Sequence, residues 1–377
     1  MSHSWRTSIL ADRHRALGSQ LENWNGMGTA WTYTSDLADA HEAIRTRAGL
    51  MDVSGLKKVH YVGPHTEALL QEALTRDVGK LYPGRCVYST MLTERGKFTD
   101  DCIVYRTGPN AWFVVHGAGT GHEQLTRNAT GRQVAVLFDD DIHDLSLQGP
   151  LAVDFLADHV PGIRDLRYFH HVATQLFGRP VMISRTGYTG ERGYEIFCRA
   201  EDAGPIWDTI LELGASLGIV PCPFTTLDWL RVESYLLFFP YDNSEMYPFA
   251  DEPPGDSLWE LGLDFTVSPG KTGFRGAEEH ARLKGRERFK IYGVLLEGDG
   301  AASEGDAVYA EGHRVGVVTC AMYSRLSGRS MALARLDVPQ AVHGTPLQVR
   351  GDTREMSGIA HSLPFDDPAK TKRTATG

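Results

Sequence analysis

A chain of 377 residues with 42% hydrophobic content can bury one large core or two to three smaller ones, which excludes disordered and fibrous classes and points to a multidomain globular protein. The formal net charge of -10 at pH 7 and a pI near 5.8 give no basic footprint for broad nucleic-acid or anionic-membrane binding, so neither partner is expected. Five cysteines, Cys86, Cys102, Cys198, Cys222 and Cys320, are scattered without a C-x-x-C pair, so neither a disulfide framework nor a zinc site is expected.

The first residues, Met1 to Thr7, contain no apolar run, and no later stretch approaches the ~18 apolar residues of a membrane span. The chain is therefore expected to be cytoplasmic. Glu67 to Thr75 reads as a helix opened by Pro64 and Thr66, with Leu70 and Leu74 on one side; Cys102–Tyr105 and Trp112–Val115 read as strands. Pro205 is placed in the first turn of a second helix, where Ile206, Ile210, Leu213 and Leu217 repeat at helical spacing before Gly218 stops the run. From about Phe289 short strands alternate with Gly-rich turns, which predicts a small all-β domain over 281–365 after the charged helix Ala277–Lys284. Residues 366–377 lack apolar periodicity and read as a flexible tail.

The most informative segment is Ser184-Arg185-Thr186-Gly187-Tyr188-Thr189-Gly190-Glu191-Arg192-Gly193-Tyr194-Glu195-Ile196, two short strands around a Gly/Thr turn. Its three glycines allow positive φ and close backbone approach, so a planar ligand can lie against the turn with Tyr188 stacked on it and Glu195 accepting hydrogen bonds at its edge. A pterin is such a ligand: its 2-amino and N3–H groups form a guanidine-like edge that one carboxylate satisfies.

The same segment closely resembles S-R-T-G-Y-T-G-E-D-G-[FY]-E-I of the aminomethyltransferase (T-protein) family of the glycine cleavage system. The resemblance extends over nearly the whole chain. It includes Ala40 to Ser54, Gly84 to Leu92, Gly96 to Val104, Leu147-Gln148-Gly149-Pro150, Leu230-Arg231-Val232-Glu233 and Phe274-Arg275-Gly276. The resemblance implies an α+β fold of three domains in a cloverleaf, with residues 1–280 forming two intertwined α+β subdomains and a C-terminal β-barrel following. It also implies tetrahydrofolate as cofactor. Residue by residue, the family's catalytic aspartate falls on Asp100, its ring-contacting tyrosines on Tyr88 and Tyr188, and its pterin-binding carboxylate on Glu195. Asp101 follows Asp100 on a strand, so its side chain is expected on the opposite face, supporting a loop.

Departures from the family pattern bear on the substrate. Leu227 stands where the family has an arginine and His116 where it has an asparagine, which puts the contacts to an aminomethyl group on a lipoyl arm in doubt. Trp24, Trp31, Phe238, Phe239 and Tyr241 add aromatic surface in the altered segments, of the kind that binds onium groups by cation–π attraction or holds an aryl ether. His116 is a candidate acid that protonates the heteroatom leaving a methyl group.

The favoured reading is a tetrahydrofolate-dependent demethylase that takes a methyl group from a small N-, O- or S-methylated compound and yields 5-methyltetrahydrofolate. The alternative is aminomethyl transfer with a lipoyl carrier protein as partner, yielding 5,10-methylenetetrahydrofolate. A third reading, a non-catalytic folate-binding protein, is weakened because the K-G-C-Y-x-G-Q-E signature of such relatives is absent and Asp100 is present. No G-x-G-x-x-G opens the chain, which argues against a built-in flavin domain and leaves a separate oxidase subunit open.

Overall fold

The computed structural model describes residues 5–249 and 253–376. The chain opens with three short strands, β1 (Arg6–Thr7), β2 (Glu22–Trp24) and β3 (Met27–Thr29), and the helix α1 (Ala11–Ala16). Helix α2 (Leu37–Thr46), capped by the Asp36 carboxylate on the Ala38 amide, leads into β4 (Gly49–Asp52). The chain then builds a five-stranded antiparallel sheet from β5 (Lys57–Val62), β6 (Cys86–Leu92), β7 (Phe98–Arg106), β8 (Ala111–His116) and β9 (Ala135–Phe138), ordered β6-β7-β8-β5-β9. Helices α3 (Thr66–Ala73) and α4 (Gly121–Ala129) cover one face, where Leu70, Leu74, Val104, Trp112 and Leu125 form a core.

The chain then returns to β4. Strands β10 (Ile142–Gln148), β11 (His171–Leu176), β12 (Arg179–Ser184), β13 (Gly193–Arg199) and β14 (Val220–Pro221) join it in a second sheet, ordered β11-β12-β13-β10-β4-β14. The whole five-stranded sheet is therefore inserted in sequence between β4 and its partner β10. Helices α5 (Ala152–Ala157) and α6 (Ala200–Gly214) close its outer face over Leu145, Leu147, Tyr194 and Ile196. The inner faces of the two sheets meet at Cys86, Tyr105, Phe113, Val115 and Phe197.

Helix α6 differs from its sequence reading. It starts five residues before Pro205, so the proline lies inside the helix, and Leu213 is 47% exposed. The packed stripe is Ala203, Ile206, Trp207 and Ile210, a spacing that also fits 3.6 residues per turn.

Helices α7 (Thr225–Ser234), α8 (Leu258–Leu261) and α9 (Ala277–Leu283) connect to a closed six-stranded barrel. Its strands are β15 (Phe289–Leu296), β16 (Ala307–Ala310), β17 (His313–Ser324), β18 (Arg329–Asp337), β19 (Pro346–Arg350) and β20 (Glu355–His361). The expected α+β architecture with a C-terminal barrel is present. Helix α7 packs Val232 against Met322, Met331 and Leu333 of the barrel. The last residues, read from sequence as a tail, carry the short helix α10 (Thr371–Thr374), where Lys372 bonds to Asp366 and Glu191 and Arg185 donates to the carbonyls of Arg373 and Ala375. No helix among the described residues is long and apolar enough to cross a membrane.

Candidate functional site between the two sheets

The segment read as a ligand-binding turn is the connection between β12 and β13, which pair antiparallel from Met182↔Phe197 to Ser184↔Glu195. Two of its three glycines serve a neighbouring side chain. A Cβ at Gly187 or Gly193 would come within 2.1 or 2.0 Å of Gln148 Oε1, and only Gly190 has positive φ, at 82°. Gln148 Nε2 donates to the Thr186 carbonyl at 3.2 Å, and Thr189 Oγ1 donates to Gln148 Oε1 at 3.1 Å. Arg45 of α2 ties the far side of the turn, donating to Glu233 at 2.7 Å, to Glu191 at 2.9 Å and to the Thr189 carbonyl at 2.8 Å.

Tyr188 is positioned by its hydroxyl, which donates to the carbonyls of Leu236, at 2.9 Å, and Leu237. Glu195 points from β13 into the space between the sheets, where it accepts from Thr186 Oγ1 and lies beside the Tyr105 hydroxyl; burial pushes its carboxyl above the usual range. On the same inner face, two positions along the neighbouring strand, is Asp144. Asp144 is fully buried and neither carboxyl oxygen has a hydrogen-bond partner. Burial first, and the Glu195 charge second, push Asp144 well above the usual carboxylate range. Lys58 of β5 lies nearby, its ammonium bonded to the carbonyls of Ser54 and Leu56, and burial lowers it to about 8. An orphaned carboxyl beside Glu195 leaves acceptors for a ligand with several N–H donors, which fits a pterin edge.

Asp100 and Asp101 do point to opposite faces of β7, as alternation requires, Asp100 toward α4 and Asp101 toward the second sheet. Asp100 faces α4 and is fully buried: its oxygens accept from the amides of Gly119 at 3.0 Å and Gly121 at 2.9 Å, and Oδ2 meets His116 Nδ1 at 3.1 Å. Asp101 takes the inner face. Tyr88 donates to its Oδ2 at 2.8 Å, and a Cβ at Gly117 would fall 2.4 Å from its Oδ1. Desolvation first, and the neighbouring Asp100 charge second, raise Asp101 to about 7. Tyr88, Tyr188 and Asp101 are mutual electrostatic neighbours, so three of the groups meet at one place.

His116 is fully buried behind Asp100, with Nε2 at 3.5 Å from the Tyr61 hydroxyl; neither ring nitrogen faces the Tyr88–Asp101 side. The aromatic set divides. Trp24 is buried against Phe224, and Phe239 packs on Phe98, both as core. Trp31, Phe238 and Tyr241 line a cavity of about 220 Å³ together with Asp228 and Arg231. Arg231 in turn holds Asp228 at 2.9 Å and Asp242 at 2.7 Å.

Sequence reading missed Asp144. The signal was present in the alternation Asp144-Leu145-Ser146-Leu147-Gln148, whose polar face would ordinarily be solvated but here lies between two sheets.

Two facing sheets with buried carboxyl groups between them, joined to a β-barrel, define a one-carbon transferase of the glycine cleavage T-protein type. The chain belongs to that family: residues 10–271 match the "GCVT N-terminal domain" and residues 290–367 the "Glycine cleavage T-protein C-terminal barrel domain". It is similar to the heme-dependent oxidative N-demethylase gamma subunit of Ectopseudomonas mendocina, 74% identical over 377 residues and covering 100% of both chains. It is 32% identical to an aminomethyltransferase of Streptomyces coelicolor, covering 96% of this chain and 97% of that one. Among solved structures, the glycine cleavage system aminomethyltransferase T from Bartonella henselae superposes with a TM-score of 0.85 at 26% identity, covering 96% of this chain and 98% of that one.

Proposed function

We propose that this chain transfers a one-carbon unit, released from a small N-methylated compound by a partner oxidase, to tetrahydrofolate. The observation that carries the reading is the buried Glu195–Asp144 pair on the inner face that also carries Asp101. The similarity to an N-demethylase subunit over the full chain supports the kind of donor and the need for protein partners.

Tetrahydrofolate, when bound, supplies a nucleophilic N5 that accepts the unit. Glu195 takes the N–H donors of the pterin edge, and Asp144, held neutral by its surroundings, donates its carboxyl proton to a ring acceptor or accepts a further N–H. Tyr188, fixed by the Leu236 and Leu237 carbonyls, presents its ring to the ligand. Asp101, with Tyr88 holding Oδ2, takes the proton released at the reacting nitrogen, a task suited to a carboxyl titrating near 7. Asp100 and His116 act behind it as positioning residues, fixing the loop from Gly117 to Gly121.

An oxidised N-methyl group is at the formaldehyde level, so the product expected is 5,10-methylenetetrahydrofolate, with water released and no redox change in this chain. Direct methyl transfer from a neutral amine needs an acid at the departing heteroatom, and His116 is turned away from that place. The test is to feed the assembled complex a ¹³C-methylated amine with tetrahydrofolate and a formaldehyde scavenger. Label in methylenetetrahydrofolate with wild type, diverted to the scavenger by Glu195→Ala, is the expected result. Label in 5-methyltetrahydrofolate from this chain alone would restore direct methyl transfer, and label in the scavenger throughout would overturn both.

A further inference from the structure

Strand β9 is an edge of the five-stranded sheet, and it carries none of the devices that keep edge strands apart. From Gln133 to Phe138 there is no charge and no proline, and the pairing with β5 runs without a bulge. Leu137 is 59% exposed, and Ala135, Phe138 and the adjacent Val62 of β5 are exposed beside it. The register fixes which backbone groups are free. The Asp139 amide donates to the Lys58 carbonyl at 2.8 Å, so the odd-numbered residues of this segment bond to β5, and Val134, Val136 and Phe138 turn their amides and carbonyls outward. Among the described residues no strand or backbone group meets them there.

The segment is also charged in opposite senses at its two ends, with Arg132 before the strand and Asp139, Asp140 and Asp141 after it. An antiparallel copy of the same strand reverses that order. With a two-fold axis at Val136, Leu137 lies opposite the second copy's Ala135, Phe138 opposite its Val134, and Arg132 opposite its Asp140. Arg132 and Asp140 bond to Glu72 and Arg6 in their own chain and are still 31% and 38% exposed, so each has a side open to the second copy.

We propose that two copies of this chain join edge to edge through β9, making one continuous antiparallel sheet out of the two five-stranded ones. A second copy fits this edge because the register that joins the outward backbone groups also sets apolar against apolar and Arg132 against Asp140 on both sides of the axis. The contact is one strand wide, below the ~1,200 Å² of standard interfaces, so the dimer is weak, with a dissociation constant on the order of 10 µM. The proposal does not depend on the folate reading.

The test is sedimentation equilibrium of the full chain across the micromolar range, where wild type is expected to pass from monomer to dimer. Leu137→Lys, at an exposed position, should weaken association about a hundredfold, because a symmetric contact loses both leucines, and should leave Tm unchanged. Disulfide cross-linking tests the register. Residues 135 and 137 of opposite copies form a pair without mutual hydrogen bonds, with Cα atoms about 4.5 Å apart. Ala135→Cys and Leu137→Cys combined in one chain should therefore give a cross-linked dimer on oxidation, and neither variant alone should. Cross-linking by one of the single variants overturns the axis at Val136. A monomer at every concentration, with no cross-link from the double variant, overturns the dimer. A monomer whose Leu137→Lys variant also fails to join the oxidase subunits overturns the second copy as occupant and assigns the edge to a strand of another protein.

Discussion

At the scale of single residues the two adjacent aspartates make opposite demands. In the proposed function Asp101 takes the proton as a carboxylate, so turnover should rise with pH and level off above about 7, and Asp101→Asn should remove that limb and most of kcat while leaving cofactor affinity and Tm near wild type. A pH profile of kcat with a parallel melting curve checks this. Asp100→Ala should behave differently: it strands the Gly119 and Gly121 amides and the His116 ring, and each unsatisfied buried group costs about 1–3 kcal/mol, so the fold itself should weaken by several kcal/mol. Asp144 adds a pH effect on stability. Its folded pKa is raised, so the folded form prefers the proton. The stability this contributes is fully present below the unfolded pKa of about 4 and falls as pH rises toward the folded value. Asp144→Asn keeps the neutral form at every pH and should therefore melt higher than wild type at pH 7, with the gap closing near pH 4. A gap that widens toward acid would show Asp144 to be ionised in the fold.

At the scale of elements the β12–β13 hairpin is a test of how side-chain volume is allocated. Gly193→Ala should cost about 1–3 kcal/mol because its methyl would overlap Gln148, and the double variant Gln148→Ala with Gly193→Ala should recover part of that loss. Denaturant melts of the two singles and the double measure the coupling; strict additivity would mean the glycine is needed for another reason. The hairpin, the barrel strands and helix α3 were legible because turn chemistry and hydrophobic period are local properties. The start of α6 was not, because Pro205 is common in a first turn and only the packing of Ala203 and Trp207 shows that the helix begins earlier. The same limit explains the aspartate pair: alternation places Asp100 and Asp101 on opposite faces, but which face meets a second sheet depends on contacts far away in sequence.

At the scale of the whole molecule the proposed site depends on how the barrel is fastened to the rest of the chain, and part of this lies in a buried network around Asp242 that no local pattern announces. Asp242 is fully buried and accepts from Arg231 at 2.7 Å, from the Phe238 amide at 2.9 Å and from Thr319 of the barrel at 2.6 Å. The segment it holds begins just after Leu236 and Leu237, whose carbonyls receive the Tyr188 hydroxyl. Asp242 thus links barrel, α7 and the ring proposed to face the cofactor. Asp242→Leu leaves the Arg231 charge buried with only Asp228 beside it, and breaking one side of a buried pair costs about 3–5 kcal/mol. Replacing both, with Arg231→Met and Asp242→Leu together, removes the stranded charge and should return most of the stability. It should not return cofactor affinity, because the Phe238 amide and Thr319 have still lost their acceptor and Tyr188 its fixed carbonyls. Melting curves and folate titrations on the three proteins separate the two effects: recovery of stability without recovery of affinity places Asp242 in the support of the site, and recovery of both would reduce it to a fastening of the fold alone.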